Sequence, residues 1–183
     1  MDTCNAVTKF EPSHLASEQL DSFVSSYDTS PIAASSDDSL PDVQKLTLIR
    51  GVPGSGKTTF ANTLTATVVV EADQYFTDKD GAYQYENHRI KEAHNWCQLE
   101  TKRLLKAGYN VAVANTFVKN WEMKFYKSLA DDMGLAFEII EMTGNYQNVH
   151  GVPDAIVKRM ASQFETLAPS FSVVKRMAKG GLV

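Results

Sequence analysis

The sequence predicts an α/β fold, a parallel sheet with crossover helices, and three observations carry that expectation. From Lys45 onward, strand-length apolar runs alternate with helical patterns. A glycine-rich segment, Gly51–Thr58 (GVPGSGKT), falls between the first strand and the first helix. The next strand is a β-branched run through Val68, Val69 and Val70, continuous enough to be buried on both faces as parallel strands are.

Each element follows from local pattern. Lys45–Arg50 is the first strand, Lys57–Leu64 a short helix and Thr67–Glu71 the second strand, with Asp73 directly after it. A polar, tyrosine-bearing loop over Gln74–Tyr85 leads to a long helix from about Glu86 to Ala107, stopped by Gly108. Asn110–Ala114 is the third strand and ends on Asn115 and Thr116. Asn120 is suited to cap a helix over Trp121–Met133 that closes at Gly134, and Ala136–Met142 is the fourth strand. The connection Thr143–Val152 enters a helix with Pro153 in its first turn that runs to about Leu167. Beyond Pro169 no period is readable.

With 183 residues the chain fits one α/β core plus appendages. Its expected divisions are an acidic, serine-rich extension over residues 1–44, a core over 45–168 and a tail over 169–183. The extension holds eight acids against one lysine, so residues 45–183 keep seventeen bases against fourteen acids, a net +3. That mild excess suits a binder of phosphates but not a tight, non-specific binder of nucleic acid. Within the extension Ala16, Leu20, Phe23 and Val24 share one face of a possible helix, which leaves disorder, docking on the core or docking on a protein partner open. The apolar runs are too short to span a bilayer, the N-terminus lacks a signal-peptide pattern, and Cys4 and Cys97 are the only cysteines. A cytoplasmic location without membrane contact is the expectation.

The glycine-rich segment carries the chemistry. In G-x-x-x-x-G-K-[ST], Gly51, Gly54 and Gly56 let backbone N–H groups approach phosphate oxygens, Lys57 reaches the β- and γ-phosphates, and the Thr58 hydroxyl binds Mg²⁺. Val52, Pro53, Gly54, Ser55, Gly56, Lys57, Thr58 and Thr59 are therefore the expected ATP-binding residues. A motor or switch ATPase places a carboxylate at the end of a strand neighbouring this loop, but the third strand ends in Asn115. The well-placed carboxylate is Asp73, on the sheet edge where open α/β folds hold ligands, and it suits a base that takes a proton from an attacking hydroxyl.

The segments GVPGSGKTTFANTL, EADQYF, DGAYQY, AHNWC, Asn115–Thr116, WEMKFY and NVHGVP occur in an order that resembles the polynucleotide-5′-kinase-like branch of P-loop kinases. The small stand-alone kinases of the zeta-toxin and AAA-33-like type are the nearest in pattern. The resemblance covers roughly residues 45–165. It implies an adenylate-kinase-like sheet of order 2-3-1-4, ATP with Mg²⁺ as donor and a hydroxyl acceptor, classically a nucleic-acid 5′ end. It also implies Lys57 and Thr58 as phosphate and Mg²⁺ ligands, Asp73 as general base and Asn115 with Thr116 as a polar pair facing substrate.

The chain departs from the family in three places, the first being Asn115, whose position is an aspartate in the phage polynucleotide kinases proper. Phe117 stands where a polar residue is frequent, and the lid is poor in cations, with no lysine or arginine from Ser128 to Val157. His150 and Tyr146 occupy lid positions that carry arginines in polynucleotide kinases, and Arg159 or a second subunit are other sources of charge. Tyr83, with Tyr85 and Phe76, suits base stacking or loop packing. Two rival readings stay open: a kinase of a nucleoside, nucleotide or modified base, and an ATP-dependent switch that engages a protein partner through the extension.

Overall fold

The computed structural model describes residues 43–78, 81–146, 152–171, 174–178 and 181–182, the last two segments by their backbone alone. Residues 1–42 of the N-terminal extension and lid residues 147–151, including His150, lie outside the described residues. The elements are β1 (Lys45–Arg50), α1 (Lys57–Ala61), β2 (Thr67–Val70), α2 (Ile90–Lys106), β3 (Asn110–Ala114), α3 (Lys124–Met133), β4 (Ala136–Met142), α4 (Asp154–Gln163), β5 (Val174–Ala178) and β6 (Gly181–Leu182).

The strands form one sheet in the order β2-β3-β1-β4-β5-β6. The first four are all parallel and stand in the order 2-3-1-4 that the family resemblance implies. The tail adds β5, parallel to β4 with Ile139 opposite Val174, and β6, antiparallel to β5. β1 is central, pairing with β3 on one side and β4 on the other, and only its first residue is exposed. A strand so placed must be apolar on both faces, which is why Leu46, Leu48 and Ile49 are all fully buried.

The alternation in β3, VAVA, sets the two layers. Val111 and Val113 join Leu46, Leu48, Val68, Val70 and Ile139 in the larger core, covered by Cys97, Leu104 and Leu105 of α2 and Tyr126 and Leu129 of α3. Ala112 and Ala114 face the other way, with Ile49, Ile140 and Ala61. Small side chains there let α1 lie close to the sheet, so the loop that precedes it ends over the strand tips.

Element ends differ from expectation for local reasons. α1 stops at Ala61, not Leu64, where the Thr63 side chain competes for the backbone, its hydroxyl donating to Phe60 O at 2.7 Å. The first turn before α3 is a 3₁₀ turn over Asn120–Met123, and its free Lys119 N–H is taken by the Glu122 carboxylate at 2.9 Å. Asn120 does not cap it; its amide donates to Glu165 Oε2 and to Thr166 O, tying down the chain after α4. α4 ends at Gln163 because Phe164 turns to an extended conformation that lets Glu165 N–H donate to Val118 O at 2.9 Å. No helix among the described residues is long and apolar enough to cross a membrane.

Candidate active site

The loop between β1 and α1 is fixed at both ends to the strand tips beside it. Gly51 N–H donates to Thr116 O at 3.2 Å, beyond β3, and Tyr146 N–H donates to Gly54 O at 2.8 Å, beyond β4. Gly51 cannot be replaced, since a Cβ there would lie 2.4 Å from Ser55 Oγ and 2.7 Å from Met142 O. Gly56, at φ +92°, adopts a conformation L side chains avoid, and its open face is covered by the Tyr146 ring, 3.0 Å from where a Cβ would stand. Ser55 Oγ is fully buried and has no hydrogen-bond partner among the described residues. An orphaned hydroxyl costs about 1–3 kcal/mol unless a ligand or loop adjustment satisfies it.

Lys57 lies over this loop with its ammonium donating to Val52 O at 3.1 Å. Burial pushes its pKa down to about 8, against the opposing pull of the Glu71 and Asp73 carboxylates. Glu71 and Asp73 follow β2, which like β1 runs parallel to β3, so they stand at the same edge of the sheet as the loop after β1. Thr58, exposed at the start of α1, donates its hydroxyl proton to Glu71 Oε1 at 2.8 Å. Thr59 beside it is exposed, and Val52, Pro53 and Gly54 are half-buried.

Asp73 sits in the 3₁₀ turn Ala72–Phe76 that follows β2, half-buried. The turn is locked by Gln74, whose N–H donates to Glu71 O and whose side-chain oxygen accepts the Glu71 N–H, both at 3.1 Å. Tyr83 lies near Asp73: burial first, then the Asp73 charge, raise its hydroxyl pKa. Its ring is 45% exposed and meets Phe76 edge-on at 6.4 Å, while Tyr85 meets the same phenylalanine at 5.1 Å. Phe76 is buried, so the three rings make a pedestal with two exposed faces.

Asn115 is 8% exposed and turned inward. Its side-chain oxygen accepts the Ala72 N–H at 2.9 Å and its amide nitrogen donates to Cys97 Sγ at 3.4 Å. Tyr126 OH donates to the same sulfur at 3.4 Å, and burial pushes the thiol up to about 11. Asn115 thus holds the turn that carries Glu71 and Asp73, instead of facing the open edge. Asn115→Ala is expected to strand the Ala72 N–H and to cost about 1–3 kcal/mol, measured by urea denaturation. Thr116 contributes its carbonyl to Gly51, and Phe117, at φ +44°, turns its ring into the core against Tyr126 at 5.6 Å. Phe117 is therefore a core residue and does not face the open edge of the sheet.

Two residues escaped the sequence reading. Arg50, the last residue of β1, is wholly buried, its guanidinium over the Phe164 ring at 4.0 Å and donating to Glu165 O at 2.9 Å. Burial lowers its pKa, with Glu141 the leading opposing charge. Nothing in a strand pattern announces such an arginine. Glu71 was legible by the strand-tip rule that selected Asp73, but it reads first as the last strand residue. Arg159 lies exposed on α4.

Mg²⁺ on a nucleotide asks for one or two hard protein oxygens, the phosphates and water supplying the rest. Among the described residues no group of three or more His, Cys, Asp or Glu side chains is arranged to hold a metal by itself. The Thr58 hydroxyl and the Glu71 carboxylate, oxygen donors 2.8 Å apart beside the loop, fit the lighter requirement.

A parallel 2-3-1-4 sheet with a glycine-rich loop between its central strand and a helix defines a P-loop protein of the kinase type. Residues 46–144 match the AAA domain family, and the chain belongs to this family of P-loop kinases. The human NEDD4-binding protein 2 is 31% identical over 136 residues, covering 66% of this chain, which spans 8% of the length of that relative. A sugar kinase from a Janibacter species superposes with a TM-score of 0.51 at 15% identity, covering 74% of this chain and 85% of that one. Kti12 of Chaetomium thermophilum, solved with ADP-AlF3, superposes with a TM-score of 0.54 at 13% identity, covering 74% and 89%. These two share the fold.

Proposed function

We propose that this chain is an ATP-dependent phosphotransferase that moves the γ-phosphoryl group to a hydroxyl, with Asp73 as the base. The observation that carries the reading is the Gly51–Thr58 loop between β1 and α1, with Lys57 lying over it and donating to Val52 O at 3.1 Å, and Asp73 in the turn that follows β2. Lys57 neutralises charge on the β- and γ-phosphates, and its burial keeps water from screening it. Ser55 and the loop N–H groups orient the phosphates. Thr58 would hold Mg²⁺, which would supply positive charge to offset that of the phosphates. Asp73 takes the proton of the attacking hydroxyl as its oxygen approaches the γ-phosphorus.

For the acceptor, the reading is a nucleic-acid 5′-hydroxyl. Exposed Tyr83, on which the Asp73 charge acts, offers with exposed Tyr85 a stacking surface for the terminal base. The net +3 of residues 45–183 favours the second reading, a small nucleoside or nucleotide acceptor. Incubation with γ-labelled ATP and a 5′-hydroxyl oligonucleotide, its 5′-phosphorylated twin and free nucleosides separates the two. Label on the 5′-hydroxyl oligonucleotide alone, with binding that weakens steeply with salt, is the expected result. Label on nucleosides alone would replace the first reading with the second.

A further inference from the structure

We infer that Glu71 is the metal-side carboxylate of this site, taking just after β2 the part that other P-loop proteins give to an acid on a neighbouring strand. The inference rests on the reading that the loop binds ATP with Mg²⁺. Its geometric basis is the Thr58–Glu71 pair. A threonine hydroxyl binds Mg²⁺ through an oxygen lone pair, so its proton needs an acceptor on the side away from the metal. Glu71 Oε1 accepts that proton at 2.8 Å, which leaves the Thr58 lone pairs free to turn toward the nucleotide. A carboxylate at this distance also accepts hydrogen bonds from the waters that Mg²⁺ retains.

The neighbouring candidates are otherwise committed. Asn115, where an acid is expected at the end of β3, is neutral and spends its oxygen on Ala72 N–H and its nitrogen on Cys97 Sγ. Asp73 lies two residues further on, inside the 3₁₀ turn Ala72–Phe76, where its charge acts on Tyr83. The Asn115 bond to Ala72 then has a second consequence, since it fixes the backbone between Glu71 and Asp73 and so separates a metal-side acid from an acceptor-side base.

The test is the affinity of Mn²⁺ for the protein·ADP complex, read from free Mn²⁺ by electron paramagnetic resonance, beside the affinity for ADP in EDTA. Glu71→Gln is expected to weaken Mn²⁺ by about tenfold or more, the usual cost of losing a carboxylate that supports a metal ligand. Metal-free ADP should bind the variant as tightly as the parent or more so, because a negative charge has left the phosphate site. Unchanged Mn²⁺ affinity would overturn the inference. Loss of metal-free ADP binding would make Glu71 a structural residue and overturn it too. A parent chain that binds neither ADP nor ATP would instead remove the phosphotransferase reading on which it stands.

Discussion

Replacing Lys57 by methionine is expected to lower the rate of phosphoryl transfer by at least about a hundredfold, the usual effect of removing one preorganised positive group from a charged transition state. Methionine keeps most of the aliphatic stem, so packing over the loop persists. What disappears is a cation already stripped of much of its water, with its pKa pushed to about 8 by burial and only partly supported by Glu71 and Asp73. In the free protein that cation is a burden, and the variant should melt at the same temperature as the parent or higher. ATP affinity should fall along with the rate, since the same ammonium meets the ground-state triphosphate. Single-turnover kinetics, calorimetric ATP titration and a thermal melt on one preparation check all three, and a variant with parental rate would remove Lys57 from the chemistry.

Asp73→Asn is expected to act differently: transfer falls about a hundred- to ten-thousandfold while ATP affinity stays within about threefold. The asparagine keeps the size of the side chain in the turn over Ala72–Phe76, which Gln74 and Asn115 hold through the backbone and not through Asp73. Only the ability to take a proton is lost. Comparison of kcat with the ATP Kd separates this from the Lys57 pattern, in which both change. Equal loss of ATP binding in Asp73→Asn would place the carboxylate on the nucleotide instead of the acceptor.

Much of this architecture is written in short-range pattern. The VAVA of β3 states both the strand and its two faces, and its bounds, Asn110–Ala114, are those the sequence predicts. β5 was not legible because Val174–Ala178 (VKRMA) carries two charges and no alternation; its pairing with β4 is made by backbone, which sequence pattern does not report. The loop Gly51–Thr58 was legible because each fixed position has a separate steric or electrostatic task. Asn115 was readable as a polar residue at a strand tip, yet its direction depends on Ala72 and Cys97, residues 43 and 18 positions away. Glu71 was obscured for the same reason: its partner, Thr58, is reached only after α1 and β2 have folded back on the sheet.

The most direct measurement follows ATP by ³¹P nuclear magnetic resonance in the presence of Mg²⁺ and a 5′-hydroxyl oligonucleotide, nucleoside or nucleotide. One new phosphomonoester for each ADP formed, on at least one of these acceptors, is the expected result. ADP accompanied only by inorganic phosphate, or ATP left intact with every acceptor, would contradict a phosphotransferase.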